Sequence, residues 1–415
     1  MKRSPVHSLI VHRDYPLDGA PAHGIPRYTQ MMAHALAAAG HPTGVLAGGS
    51  PGLAQDGPVP VHLVDTAPPR LRGWWRADRW LPASYLCASR AFARALQSGP
   101  AADAEIVEFA EFRGEGLSYA RARRRPPVVI RVHHPCWRTA QFGGQPRTAR
   151  LWMLHRMEMA ALRAADAVTA PTRAFLDLVR GWVNLEGKPA RVIPNPLDLA
   201  RFRPPDEEGP ADYLLFASRL EYRKGADLLP ALVAQLRGRG IDLEVRVAGG
   251  AGRESDFAAD VSGRLRALPG VKLLGAIGER ELVPLMQGAL AVLVPSRDEN
   301  FPYACAEALA CGTPVIAARV GGIPEIVTDG VEGILVGPAD VAALADAVRR
   351  IHGDGGLRRR LGDNARRRAE SLFSLERVAA ETVDFYSEVI DRYRRSGSRR
   401  LVGRRAPAGR EIGAS

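Results

Sequence analysis

The segment AVLVPSRDENFPYACAEALACGTPVIAA, residues 291 to 318, decides the fold. It begins and ends on short apolar runs with the look of buried strands, AVLV and VIAA. Between them lie a polar turn, Pro302, and a run of small residues suited to a packed helix. Strand, helix and strand in so short a stretch make a βαβ unit, which needs a parallel sheet. Two carboxylates stand inside it. Glu299 precedes the helix and Glu307 lies within its first turns, 8 residues on. The flanking Ala306, Ala308 and Leu309 read as core, so a solvated helix face is a poor account of Glu307. A glycine pair, Gly321 and Gly322, follows the second strand.

Outward from this segment the alternation repeats. Strand-like runs DYLLFAS, LEVRVAGG, VKLLGAI, ALAVLVPS, TPVIAA and GILVG are separated by helical runs ADLLPALVAQLRGRG, ERELVPLMQG and the opening helix. The helix PADVAALADAVRRIHG follows them. About six strands in a doubly wound sheet are expected for this half. The first half reads the same way. Runs VHSLIV, VPVHLV, AEIVEF, PPVVIRV and AVTAPT alternate with helical stretches at IPRYTQMMAHALAAAGH and around 84 to 97 and 147 to 164. Pro26 near the start of the first of these and Gly40 past its end are ordinary helix punctuation. PNPLDLARFRPPDEEGPADY, with five prolines, reads as an interdomain linker. The expected organisation is a Rossmann-like domain over 1–205, a second over 206–374, a helix over 375–393 (LERVAAETVDFYSEVIDRY) and a basic disordered tail over 394–415.

Composition bounds the function classes. The chain has 415 residues, 46% of them hydrophobic, and a net charge of +12. From Arg392 onward eight arginines and one acid carry +7 of that charge, leaving +5 for the rest. The tail's polar, basic composition predicts disorder. Lysines number four against 53 arginines, a compositional skew rather than a stripe with interleaved aromatics, so no nucleic-acid partner is expected. No apolar run is long enough to span a membrane, and the short N-terminal run is too brief for a signal-peptide core. Cys87, Cys136, Cys305 and Cys311 lack metal-ligand spacing, and a reduced, cytoplasmic protein is expected. Peripheral contact at the inner face of a membrane stays open as a minor reading of the basic tail.

Two sheets joined by a linker make a cleft, and ligands of open α/β sheets bind beyond the carboxyl ends of the strands. The polar candidates of the second half all fall on that rim. Arg219 and Lys224 follow one strand, Gly249, Gly250 and Gly252 the next, and Glu299 and Glu307 a third. A guanidinium fork, an ammonium and free N–H groups at a helix start suit a diphosphate. Two solvated surface charges would have the same spacing. The two glutamates could be a general acid and base, or acceptors for the hydroxyls of a sugar. In the first half Trp74, Trp75 and Trp80 sit among arginines, where they could stack on an acceptor ring, meet a membrane surface, or pack an irregular loop.

These motifs together resemble those of the retaining glycosyltransferases of family 4, enzymes of the GT-B fold. Their C-terminal signature has glutamates eight apart in PS…E-x7-E-A-[ML]-A-x-G-x-P-V-[IV]-A, then GG…E-[IL]-V…G…G-x-L-V. Here it stands as PSRDENFPYACAEALACGTPVIA followed by GGIPEIVTDGVEGILV. ASRLEYRKG is similar to the family's G-R-L-x-x-x-K-G, RVIPNPLD to V-I-P-N-G-V-D, and HGIPRYTQMMAHALAAAGH to its N-terminal glycine-pair helix. The similarity runs in order over roughly residues 8 to 390. The sequence departs from the pattern at His23, Pro196 and Pro302, each standing where the family has glycine.

The resemblance implies two Rossmann-like doubly wound domains facing a cleft, with a C-terminal helix returning to the first. It implies transfer of a sugar from a nucleotide-diphosphate sugar, UDP-linked rather than GDP-linked by preference. The acceptor would be a hydroxyl, such as that of a natural product or a cell-envelope glycan or lipid. Arg219 and Lys224 would hold the diphosphate, Glu299 the sugar hydroxyls and Glu307 the ribose. Amides of Asn300, Phe301 and Tyr303, with Gly24, Gly249 and Gly250, would complete the donor site. His133 would lie near the reacting carbon, with His134 as its alternate. His134, Trp74 and Trp75 are candidates on the acceptor side. No D-x-D occurs, so no metal or other cofactor is expected. The rival readings are a two-domain NAD-dependent oxidoreductase, suggested by the glycine cluster AGGAGRES, a phosphorylase or epimerase, and a non-catalytic nucleotide-sugar-binding protein.

Overall fold

The computed structural model describes residues 5–17, 24–68, 82–99, 103–143, 146–207, 209–252, 255–395 and 397. Within these residues the chain forms two sheets. The first contains β1 (Ser8–Val11), β2 (Thr43–Gly48), β3 (Gly52–Asp56), β4 (Val59–Val64), β5 (Ile106–Ala110), β6 (Val128–Arg131), β7 (Ala167–Ala170) and β8 (Ala190–Val192), in the order β3-β4-β2-β1-β5-β6-β7-β8. The second contains β9 (Tyr213–Ala217), β10 (Glu244–Ala248), β11 (Val271–Gly275), β12 (Ala291–Val294), β13 (Val315–Ala318) and β14 (Gly333–Val336), in the order β11-β10-β9-β12-β13-β14. The six expected strands of the second half are these six. β2, β3 and β8 are not evident in the sequence. β2 is rich in small residues, β3 is a largely exposed edge strand paired antiparallel to β4, and β8 has only three residues.

The strand orders decide where a ligand can enter. Each sheet reverses its winding once, between β1 and β5 in the first and between β9 and β12 in the second. At such a point the flanking loops diverge and leave a crevice at the carboxyl edge. The opening segment therefore supplies β12, its loop and the helix Tyr303–Ala310 to the crevice of the second sheet. Residues 12–17 and 111–116 lie at the corresponding edge of the first.

A helix not anticipated from the sequence, Gly355–Phe373, packs Ala365, Ala369 and Phe373 into the core that also holds Cys305 and Leu309. The chain then returns. Helix Leu375–Arg395 buries Val378, Val383, Tyr386 and Val389 with Tyr28, Met32 and Leu36 of helix Ile25–Ala38, in the core of the first domain. The proline-rich stretch between the domains is itself packed, with Leu197 and Phe202 buried in the second domain's core.

The return helix is fastened by a buried carboxylate. Glu108 on β5 accepts hydrogen bonds from the hydroxyls of Tyr28 and Tyr386, each at 2.9 Å. Burial pushes the Glu108 carboxyl up, against the pull of Arg131 and the two hydroxyls. Removing one donor leaves a buried acceptor short of a partner. Tyr386→Phe is expected to lower the unfolding free energy by about 1–3 kcal/mol. Chemical denaturation measures this, and an unchanged midpoint would show that the hydroxyl contributes nothing there.

Candidate active site

The loops after β9 and β12 meet through an ion pair. Lys224 Nζ lies 2.5 Å from Glu299 Oε1, which also accepts from Ser296 Oγ at 2.9 Å. Glu299 is 4% exposed. Burial opposes its ionisation, but Lys224 and Arg223, with the hydrogen bonds from Lys224 and Ser296, hold its carboxyl down to about 2. Burial also pushes the Lys224 ammonium down, and Arg223 and Arg219 add to this, while Glu299 pulls it back up. The second cation of the pair is Arg223 rather than Arg219. Arg223 donates to the Asp298 carbonyl at 3.0 Å and stands 3.5 Å from Glu299 Oε2. Arg219 is half-exposed and pairs with Glu221 at 2.7 Å. The sequence signal for Arg223 was its place beside Lys224 in EYRKG.

The glycine pair noted after β13 serves this turn. Gly321 has φ 51, and a Cβ there would come 1.9 Å from the Glu299 carbonyl oxygen. The Gly322 amide donates to that same oxygen at 2.8 Å. Only glycine lets the β13 loop lie directly under Glu299. Gly249 is required for a different reason: its Cβ would fall 1.8 Å from the Ser218 carbonyl oxygen. Close packing of the loops after β9 and β10 thus accounts for Gly249 without a ligand. Gly250 accepts from the Leu220 amide at 3.1 Å and helps hold the same two loops together.

Glu307, 3% exposed on helix Tyr303–Ala310, is met by a residue that the sequence did not mark. Arg27 Nη1 of the first domain donates to Glu307 Oε1, and Arg27 Nη2 lies 3.3 Å from Glu279. The guanidinium also sits 4.7 Å from the Tyr303 ring centre and 5.5 Å from that of Phe202. Phe301 turns its ring into the core against Phe373. Gly24, at φ 62, precedes helix Ile25–Ala38. The one available signal for Arg27 was a cation in the first turn of a helix, where the dipole disfavours it.

Residues 298 to 300 tie the domains together. The buried Asp298 carboxylate accepts from Arg138 Nη2 at 2.8 Å and lies 3.0 Å from His134 Nε2. The Asn300 side chain accepts from Thr172 Oγ1 at 2.8 Å and donates to the His133 carbonyl. Next to this seam, Glu325 caps helix Arg173–Arg180, accepting from the amides of Arg173 and Ala174 at 2.6 and 2.8 Å. His133 is buried edge-on to Tyr28, 4.9 Å between ring centres. Burial, with Arg131 and His12 nearby, pushes its pKa well down, so the imidazole is neutral. Burial also lowers that of His134, despite Asp298. The main chain at both histidines is held by Glu111, whose buried carboxyl, pushed up to about 8 by burial and by Glu158, accepts from the His133 and His134 amides at 2.7 and 2.5 Å. Trp74 and Trp75 lie outside the described residues, as does His23.

The arrangement is a cleft with two buried carboxylates on one wall, cations beside the first, and a histidine loop on the other. Residues 22–201 match the family model described as Glycosyltransferase Family 4, and residues 200–368 the one described as Glycosyl transferases group 1. A D-inositol 3-phosphate glycosyltransferase of Streptomyces avermitilis is 32% identical over 325 residues, 68% of this chain and 70% of that one. A glycogen synthase of Mycobacterium tuberculosis is 30% identical over 287 residues, 63% of this chain and 68% of that one. The chain belongs to the family 4, group 1 glycosyltransferases. It is a GT-B enzyme that transfers a sugar from a nucleotide-sugar donor. The sucrose-phosphate synthase of Thermosynechococcus elongatus shares the fold with TM-score 0.77 at 24% identity, covering 93% of this chain and 100% of that one. Anabaena HepE, solved in complex with UDP and glucose, shares it with TM-score 0.69 at 18% identity, covering 92% and 100%. The oxidoreductase alternative is not favoured.

The carboxyl of Glu299 is held below its ordinary value of 4.5 in the folded glycosyltransferase. Its contribution to stability is therefore fully present above pH 4.5 and lost as the pH falls towards about 2. Glu299→Gln is expected to reduce the fall of unfolding free energy across this window. Denaturant titrations at several pH values measure it, and parallel pH curves for the two proteins would contradict it.

Proposed function

We propose that the enzyme is a retaining glycosyltransferase taking a UDP-sugar, with a GDP-sugar as the alternative donor, and transferring the sugar to a hydroxyl acceptor. The observation that carries the donor reading is the pair of buried glutamates at the winding reversal of the second sheet, the first of them salt-bridged to Lys224. In this reading Glu299 accepts from the sugar hydroxyls and Glu307 from the ribose. Lys224, Arg223 and Arg219 face the diphosphate, and the amides of Asn300, Phe301 and Tyr303 line the sugar side. Gly24 and Gly250 let main chain approach the donor. Neutral His133 stands at the sugar from the opposite wall.

The chemistry follows from these positions. The acceptor oxygen forms a bond to the anomeric carbon as the bond from that carbon to the phosphate oxygen breaks. The departing electron pair stays on the phosphate. Attack on the same face lets the acceptor's proton pass to that oxygen and retains the configuration. Negative charge grows on the diphosphate, where preorganised cations stabilise it best.

Lys224, Arg223 and Arg219, less the charges of Glu299 and Glu221, leave this loop a net positive charge for the diphosphate, and no D-x-D is present to recruit a divalent ion. Activity is therefore expected to persist in excess EDTA, and complete loss restored by Mn²⁺ would overturn that expectation. The two glutamates should separate in their effects. Glu307→Gln is expected to weaken binding of free UDP or GDP. Glu299→Gln is expected not to weaken free nucleotide binding, since it releases Lys224 and Arg223 from their counter-ion, and to lower kcat, because its contact strengthens as the sugar flattens. Calorimetry beside steady-state kinetics measures both, and a reversed pattern would refute the assignment. If both variants bound nucleotide normally and lost kcat with a changed pH profile, the pair would be a general acid and base.

A further inference from the structure

Arg27 reaches the donor side of the cleft from the opposite domain. It is the third residue of helix Ile25–Ala38, where the helix dipole opposes its charge. It is nonetheless 9% exposed, and its Nε is buried with no hydrogen-bond partner. What holds it lies across the cleft: the Glu307 carboxylate, Glu279 at 3.3 Å, and the rings of Tyr303 and Phe202. A buried guanidinium needs such compensation, since burying a charge without a partner is costly.

Arg27 thereby takes one lone pair of Glu307 Oε1 and, as a cation in contact, weakens that oxygen as an acceptor for any other donor. A ribose diol offers two adjacent hydroxyl donors, which together suit both oxygens of one carboxylate. The diol and the guanidinium cannot both have Oε1 at full strength. We propose that Arg27 and the ribose diol of a nucleoside diphosphate compete for Glu307, so that Arg27 is a cross-cleft latch which nucleotide binding releases. Re-engagement of the latch then speeds departure of the product nucleotide. Glu279, one-third exposed, remains as a partner for the displaced guanidinium, so the exchange strands no buried charge. The inference rests on the assignment of Glu307 to the ribose.

The test is calorimetric titration of free UDP into the parent enzyme, Arg27→Gln, Glu307→Gln and the double variant, with stopped-flow release of UDP. Arg27→Gln is expected to bind UDP about tenfold more tightly and to release it more slowly. Arg27→Lys, which keeps the charge and loses the fork, should fall between the parent and Arg27→Gln, and serves if the glutamine variant folds poorly. In the Glu307→Gln background the Arg27 substitution should have no effect. If Arg27→Gln weakened UDP binding or left it unchanged while Glu307→Gln weakened it, the latch would be wrong and the ribose assignment would stand. If Glu307→Gln left UDP affinity unchanged, the ribose assignment itself would fall, and the latch with it.

Discussion

The ion pair between Lys224 and Glu299 is the contact on which the crevice of the second sheet depends. It joins the loops after β9 and β12, the two strands between which the second sheet reverses its winding. A carboxylate this deeply buried can stay ionised only if a cation stays with it. Lys224, Arg223 and Ser296 meet that demand together. The charge of Glu299 and the course of both loops are therefore one problem with one solution. The crossing at Gly321 belongs to it as well, since the β13 loop can hydrogen-bond to the Glu299 carbonyl only where no Cβ intervenes.

Closure of the cleft uses the same short segment. Asp298, Glu299 and Asn300 are consecutive, and they face three ways: to Arg138 and His134, to Lys224, and to Thr172 and the His133 carbonyl. A movement of one domain against the other must therefore act directly on the residue that precedes or follows Glu299. On the opposite wall Glu111 holds the amides of both histidines, so the loop that meets this segment is itself anchored from within its own domain. Coupling between domain closure and site geometry needs no longer path than these adjacent residues. Arg27 adds a second link further along the cleft, from the first helix to Glu307.

Much of this architecture is legible in the order of residues along the chain. Five of the six strands of the second domain are short, wholly or mostly buried runs, and such runs show in sequence as apolar stretches between turn residues; the edge strand β11 is half-exposed but keeps an apolar core of Val271, Leu273 and Leu274. Glu299, Glu307 and Lys224 sit in local motifs, and local motifs fix a residue's place on a loop or a helix start. β3 and β8 are illegible because an exposed edge strand and a three-residue strand lack the apolar pattern. Helix Gly355–Phe373 is hidden by its arginines, which leave only Leu361, Gly362, Ala365, Ala369 and Phe373 buried.

The sequence by itself determined the strand–helix alternation, the two-domain plan and the carboxylates and cations at the strand ends. These follow from periodicity and from residue chemistry within a few positions of one another. Only the tertiary structure decided the partners. Arg27 meets Glu307 across 280 residues, and Arg138 meets Asp298 across 160. It also decided that Arg223, not Arg219, completes the Lys224 pair, because two arginines four apart on a loop differ only in where the backbone turns them. It gave Gly249 a packing reason, through a carbonyl on a neighbouring loop. Pairings of this kind depend on how two separately folded sheets are set against each other, and no local pattern in the chain encodes that distance.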